Sequence, residues 1–207
     1  MAGAGRFITL EGGEGVGKST LAWALTQKLR ERGLSVVQTR EPGGSPGADE
    51  IRSLLVRGEP GRWSPMEEVL LFAAARSNHL KETIRPALAR GAWVVCDRFY
   101  DSTRAYQVAA GGLDHHALDT LNLMIDAPAP DLTLVLDLDP THGLSRSQGA
   151  SAGEDRFERK EAGFHARVRQ AFLDIAAAEP SRCVVIDTAA DAETVLQNAL
   201  AAIETRL

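Results

Sequence analysis

The chain has 207 residues, 44% hydrophobic and only 5% aromatic, with a formal net charge of −5. That length suits a single compact domain over residues 1–207, with a core resting on Leu, Val, Ile and Ala. The mild charge, with no basic run and no acidic tail, speaks against a nucleic-acid or membrane-surface partner, so an anion-binding function needs arginines gathered locally. Five short apolar runs read as strands: residues 7–10, 35–39, 93–97, 132–137 and 183–187. Most do not alternate strictly, as expected of strands covered on both faces. Helical stretches lie between them. Leu21, Leu25 and Leu29 recur at four-residue spacing, and Val69, Phe72 and Arg76 share another face. Val195, Leu196, Ala199, Leu200 and Ile203 form one stripe behind Asp191, a candidate N-cap. Strands alternating with helices imply an α/β fold with a mostly parallel, doubly wound sheet.

Residues 143–160 break this pattern. They mix small residues with Arg146, Arg156 and Arg159 and hold few large apolar side chains, so they read as a mobile lid with phosphate-binding capacity. The two cysteines, Cys96 and Cys183, sit in apolar runs and read as buried free thiols of a reduced cytoplasmic protein. The five histidines show no metal-ligand spacing. The Met1–Arg6 start lacks the apolar stretch of a signal peptide, and no apolar run is long enough to span a bilayer.

Gly12-Gly13-Glu14-Gly15-Val16-Gly17-Lys18-Ser19 matches the phosphate-loop pattern G-x-x-x-x-G-K-[ST]. It follows a predicted strand and opens a predicted helix. Glycines let consecutive backbone N–H groups turn inward around a phosphate, and the helix points its positive end at the same anion. Lys18, expected to stand exposed in the loop, would bridge the β- and γ-phosphates, and Ser19 would place its hydroxyl on Mg²⁺. The loop through Thr20 forms the expected ATP-binding segment. This motif alone leaves switch, motor, partition ATPase and kinase open. The chain carries no Asn-Lys-x-Asp motif for guanine, which argues against a Ras-like GTPase.

Further motifs narrow the choice. Phe7-Ile8-Thr9-Leu10-Glu11-Gly12, Thr39-Arg40-Glu41-Pro42-Gly43-Gly44, Leu70-Leu71-Phe72-Ala73-Ala74-Ala75-Arg76, Asp97-Arg98-Phe99 and Ser102-Thr103-Arg104-Ala105-Tyr106-Gln107 occur in that order. Together they resemble the thymidylate kinase (dTMP kinase) family of the bacterial type, over nearly the whole chain. The resemblance implies a nucleoside-monophosphate-kinase fold: a five-stranded parallel sheet, helices on both faces, and a lid. It implies the Mg²⁺-dependent reaction ATP + dTMP → ADP + dTDP in dTTP biosynthesis, and a homodimer.

The resemblance also assigns residues. Phe72 would stack on thymine and Arg76, one helical turn later, would hydrogen-bond it; at i and i+4 both project from one helix face. Arg98 would hold the acceptor phosphate and Asp97 would help organise Mg²⁺, at a strand's carboxyl end where doubly wound sheets place ligands. Glu41 and Pro42 would lie close to the acceptor, with a candidate cis bond before the proline. Arg52 would reach the acceptor phosphate and Glu14 the deoxyribose 3′-hydroxyl. Ser102 belongs to the acceptor set, Thr103 and Gln107 would face the pyrimidine edge, and Tyr106 would stand where a 2′-hydroxyl would be. The phosphate loop has no arginine, so the lid must supply the transition-state charge. Arg146 would pack against adenine, and Arg156 would swing over the phosphates. Two departures from the family pattern stand out: Ser147-Gln148-Gly149-Ala150-Ser151 in the lid, and Val108-Ala109-Ala110-Gly111-Gly112 after Gln107. Two other readings stay open: a different pyrimidine nucleotide or deoxynucleoside kinase, and a non-enzymatic nucleotide switch.

Overall fold

The structure, a computed structural model, describes residues 4–147 and 154–207, with the backbone alone at 146 and 147. In chain order it runs β1 (Phe7–Gly12), α1 (Lys18–Glu31), β2 (Val36–Arg40), α2 (Pro46–Val56), α3 (Pro65–His79) and α4 (Arg85–Ala89). There follow β3 (Trp93–Asp97), α5 (Tyr100–Thr103), α6 (His115–Met124), β4 (Leu132–Asp137), α7 (Pro140–Ser147), α8 (Ala162–Ala178), β5 (Cys183–Asp187) and α9 (Ala192–Arg206). The five strands are all parallel, in the order β2-β3-β1-β4-β5.

β1 shows how the sheet divides the core. Ile8 and Leu10 point to one face, where they join Leu132, Leu134 and Leu136 of β4 and the buried stripes of α1 (Leu21, Leu25, Leu29) and α9 (Val195, Leu196, Ala199, Leu200, Ile203). Phe7 points to the other, beside Val94, Cys96, Phe99, Leu80 and Ile84. Further along that second face Val135 packs with Phe164, Val168 and Phe172 of α8. This period-two division, with both faces covered by helices, explains why the strands read as apolar runs rather than as alternating ones. Thr9 and Thr133 share a 2.8 Å hydroxyl hydrogen bond between β1 and β4, which satisfies two polar groups inside the second layer.

Local chemistry sets the helix starts. Ser64 and Glu67 form a reciprocal capping box ahead of α3, with Pro65 in the first turn. Asp191 caps α9 by accepting from the Thr194 N–H at 3.0 Å, as the sequence suggested. α3 continues into α4 through a π-helical turn, Leu80–Ile84. Pro86, two residues after Ile84, cannot donate back to the Glu82 carbonyl, so the ladder widens there and the helix carries on.

Three of the five predicted strands keep their boundaries. β1 runs two residues further, because Glu11 and Gly12 pair with Val135 and Leu136 of β4. β2 is shifted one residue onward, to end at Arg40 opposite Asp97. The predicted lid segment begins inside α7, residues 148–153 lie outside the described residues, and 154–161 lead as turns into α8. No described helix is long and apolar enough to cross a membrane.

Candidate active site

The phosphate loop joins β1 to α1. Gly12, Gly15 and Gly17 have φ of 140°, 66° and 96°, a region side chains rarely enter, and α1 starts at Lys18 with its N-terminal N–H groups facing the loop. Lys18 is buried rather than exposed as expected, and its ammonium donates to the carbonyls of Gly12 and Gly13. Burial, and then the charge of Arg98, pull it down to about 8. The Ser19 hydroxyl donates to Asp97 at 2.5 Å, so a hydroxyl and a carboxylate meet at the loop's mouth. Two hard oxygens at the end of a phosphate cradle are the donor type Mg²⁺ takes. A wide cavity here is lined by the loop from Glu14 to Thr20, with Arg40, Asp97 and Asp191.

A second cleft opens beside it. Glu14, Glu41, Arg52 and Arg98 line both, so two ligands held there would meet at these residues. The second cleft brings together Glu14, Glu41, Pro42, Arg52, Phe72, Arg76, Arg98, Ser102, Thr103, Tyr106 and Gln107, the whole set assigned to the acceptor by resemblance. The Glu41–Pro42 bond is cis.

Arg98 sits at the junction with a φ of 68°, an uncommon backbone state for a side-chain-bearing residue. Its guanidinium donates to the Gly12 carbonyl (2.9 Å), the Ser102 hydroxyl (3.0 Å), Glu14 (3.0 Å) and the Tyr106 hydroxyl (3.2 Å). Tyr106 in turn donates to Glu14 at 2.8 Å. Burial pushes Glu14 up, but Arg98, Lys18 and the Tyr106 hydroxyl outweigh it and hold the carboxyl at about 2. Glu14 is therefore a fixed anion at neutral pH. Arg52 donates to the Pro42 carbonyl (2.9 Å) and to Glu154 (2.8 Å).

At the far end of the cleft, Arg76 donates from Nε to Glu41 (2.8 Å) and from Nη2 to Thr103 (3.1 Å), while Gln107 donates from Nε2 to Glu68 (2.7 Å). Arg76 Nη1 and Gln107 Oε1 are left buried with no partner among the described residues. Buried orphans of this kind are rare and costly, and here a donor and an acceptor belong to two residues that line the same cleft. Phe72 is half-buried there, with its ring centroid 6.2 Å from that of Phe157.

The lid arginines are arranged differently from expectation. Arg156 is wholly buried, not free to swing. It donates to the carbonyls of Leu55, Glu59 and Pro60 and pairs with Glu68. The turn after residue 153 packs down on α2 and α3, where each guanidinium nitrogen of Arg156 has a partner. Arg159 is exposed and donates to the Gly58 carbonyl. Arg146 belongs to α7, and its side chain lies outside the described residues. Phe157, Glu154, Glu158 and Glu68 at or behind the cleft escaped the sequence reading. Glu68 had a signal: it stands one helical turn before Phe72 and two before Arg76, on the same face. Asp114, His115 and His116 bring ligand atoms within 4.8 Å of one another, a proximity their adjacency at the start of α6 did not suggest. All three are exposed, and Asp114 already accepts from the His116 N–H.

A phosphate cradle and a second cleft beside it, meeting at the carboxyl ends of parallel strands, define a P-loop phosphotransferase of the nucleoside monophosphate kinase class. Residues 10–199 match the family model for thymidylate kinase. The chain is 55% identical over 185 residues to thymidylate kinase of Rhizorhabdus wittichii, covering 88% of this chain and 89% of that one. It is 52% identical over 192 residues to thymidylate kinase of Caulobacter vibrioides, covering 92% of each. The crystal structure of thymidylate kinase from Ehrlichia chaffeensis superposes with a TM-score of 0.79 at 32% identity, over 97% of this chain and 99% of that one. The chain belongs to the thymidylate kinase family.

Proposed function

We propose that the protein transfers the γ-phosphoryl group of ATP to dTMP, giving ADP and dTDP on the way to dTTP. The observation that carries this reading is the unpartnered pair in the acceptor cleft, a donor on Arg76 Nη1 and an acceptor on Gln107 Oε1. Thymine offers the complement, an O4 acceptor beside an N3–H donor, and its ring can stack on Phe72. Cytosine reverses the pattern with an N4 amino donor and an N3 acceptor, and would leave both protein groups unpaired.

In this reading the ATP phosphates lie in the loop against Lys18 and the amino end of α1. Ser19 and Asp97 would hold Mg²⁺, which when bound neutralises phosphate charge. The dTMP phosphate oxygen attacks the γ-phosphorus in line while ADP leaves, and Arg98, lining both cavities, is assigned to the charge shared between the two phosphates. Arg52 approaches the same phosphate, and Glu14 with Tyr106 bounds the deoxyribose. Residues 143–160 are assigned as the lid, with Arg146 against the donor nucleotide. The burial of Arg156 supports a fastening role in that lid rather than direct contact with the phosphates.

A homodimer is proposed from the resemblance, and the neighbouring α3 and α6 expose Met66, Leu70, Leu123 and Met124, apolar surface that a second copy would cover. A cytoplasmic setting is proposed in keeping with the free buried thiols Cys96 and Cys183. The test is ADP release measured with dTMP, dUMP, UMP, CMP and no acceptor. Turnover should need a 4-oxo pyrimidine and be fastest with dTMP. Equal turnover with CMP, or full turnover with no acceptor, would overturn the reading.

A further inference from the structure

Of the two unpartnered groups assigned to the acceptor base, only one is ambiguous. Every polar hydrogen-bonding atom of a guanidinium is a donor, so Arg76 can only donate. A carboxamide can turn over, and Gln107 could present either its oxygen or its NH₂ to the cleft. We infer that Glu68 is a positioning residue that sets pyrimidine specificity by locking the Gln107 amide with its oxygen toward the base. This rests on the acceptor-cleft assignment proposed above.

The geometry supports the lock at both ends. Gln107 Nε2 donates to Glu68 Oε2 at 2.7 Å, and both side chains are buried, Gln107 at 1% exposure and Glu68 at 4%. Turning the amide over would bring its oxygen against a carboxylate oxygen with no proton between them, in a buried setting that screens the repulsion weakly. Glu68 cannot easily yield, because its other oxygen is ion-paired to Arg156. Arg156 is in turn fastened to the carbonyls of Leu55, Glu59 and Pro60. Gln107 is thus held as an acceptor, which matches the N3–H of a 4-oxo pyrimidine and opposes the N3 of a 4-amino one. Direct contact with the base belongs to Gln107. Glu68 acts through it, and a residue reaching in from the lid segment, Arg156, holds Glu68 still.

The experiment measures kcat and KM for dTMP and for dCMP, the ATP KM, and the melting temperature, in the wild type, Glu68→Gln and Gln107→Ala. Glutamine at 68 can offer its own NH₂ to a turned Gln107 oxygen, which frees the Gln107 amide to present NH₂ to the base. The dTMP/dCMP ratio of kcat/KM should fall by about tenfold or more, through a higher dTMP KM and a lower dCMP KM, with the ATP KM unchanged. If the lone Arg156 charge prevents Glu68→Gln from folding, the double variant Glu68→Gln/Arg156→Met removes the pair together and carries the same expectation. A merely structural Glu68 would lower the melting temperature and leave the ratio within about threefold of wild type. That result, with Gln107→Ala still raising the dTMP KM, sinks the role of Glu68 and spares the cleft. A dTMP KM unmoved by Gln107→Ala sinks the cleft assignment itself.

Discussion

Gly15 in the phosphate loop and Gly143 in α7 are packed backbone to backbone. A Cβ added to Gly15 would lie 1.8 Å from the Gly143 carbonyl oxygen, and one added to Gly143 would lie 2.3 Å from the carbonyl oxygen of Glu14. The helix that leads into the predicted lid segment therefore bears directly on the loop that would cradle ATP. A displacement of either must be felt by the other, since backbone atoms cannot give way as a flexible side chain can.

Gly143→Ala isolates that contact. Within a helix, Gly→Ala should stabilise by roughly 0.5–1 kcal/mol on propensity alone. Here the added methyl must push the loop at Glu14, so the ATP KM should rise by about tenfold or more, close to 1.4 kcal/mol, with the dTMP KM much less affected. Gly163→Ala in α8, where an added Cβ would meet only the Arg167 and Glu161 side-chain ends at 3.6 Å and 3.9 Å, is the helical control. An ATP KM unchanged in Gly143→Ala would show that the loop tolerates the displacement.

Lys18→Ala should leave less than about a tenth of wild-type turnover, since losing one donor to developing phosphate charge costs on the order of 10²–10³ in rate. Thermal unfolding measured alongside separates this from damage to the loop, whose Gly12 and Gly13 carbonyls Lys18 also engages. Turnover above that level in a folded variant would remove Lys18 from the chemistry.

Phe72→Ala should raise the dTMP KM far more than the ATP KM, because a stacked base is worth roughly 1–3 kcal/mol. Its half-buried ring and its contact with Phe157 allow the opposite reading, a small apolar cluster. That reading would show as a lower melting temperature with both KM values moving together.

These residues also mark how far the sequence could be read. The apolar runs placed the strands because burial on both faces leaves a local signature, and 93–97, 132–137 and 183–187 hold to the residue. Phe72 and Arg76 were visible as a pair because helical spacing alone puts them on one face. Arg156 was not readable. In sequence it stands in Glu154-Asp155-Arg156-Phe157-Glu158-Arg159-Lys160, a mixed-charge stretch that reads as part of an open lid. In the fold three backbone carbonyls and Glu68, dozens of residues away, surround it, and no local pattern encodes such a cage. The contact of Gly15 with Gly143 was hidden for the same reason.

Glu11 gives a prediction in stability. It is fully buried, its oxygens accept from the Phe99 N–H (2.8 Å) and the Ser102 hydroxyl (2.6 Å), and Arg98, Lys18, Asp101 and the Cys96 thiol surround it. Burial, reinforced by Asp101, pushes its carboxyl from 4.5 up to about 8 against the opposing pull of Ser102 and Arg98. The folded protein then keeps a proton that the unfolded chain releases. Stability from Glu11 is complete below pH 4.5 and is lost as the pH climbs to about 8. Glu11→Gln holds a neutral group of the same shape, so its melting temperature should fall less than that of the wild type across this window. Parallel curves for the two proteins would contradict the shift.

The lid arginines give the last prediction, and here burial decides the expected sign. Arg156→Ala leaves the Glu68 carboxylate buried with its cation gone, and breaking a buried pair from one side costs about 3–5 kcal/mol. The melting temperature should therefore drop sharply. Activity in whatever remains folded should fail chiefly through the dTMP KM, because Glu68 loses the partner that steadies it beside Gln107. A group acting only in the transition state behaves otherwise, lowering kcat and kcat/KM together with KM nearly unchanged. Arg146→Ala should show either that signature or a raised ATP KM, according to whether it meets the phosphates or the adenine. Arg159, exposed and held to Gly58 and Glu59, should tolerate alanine with kcat within about threefold, or about 0.6 kcal/mol. Both constants and the melting temperature, measured for all three variants, separate these cases. A pure kcat loss in a fully stable Arg156→Ala would return the catalytic charge to Arg156 and require the segment to lift from α3. If none of the three lowers kcat beyond about threefold, the transition-state charge rests on Arg98, which like Arg52 lines both cavities and which also donates to the Gly12 carbonyl of the phosphate loop.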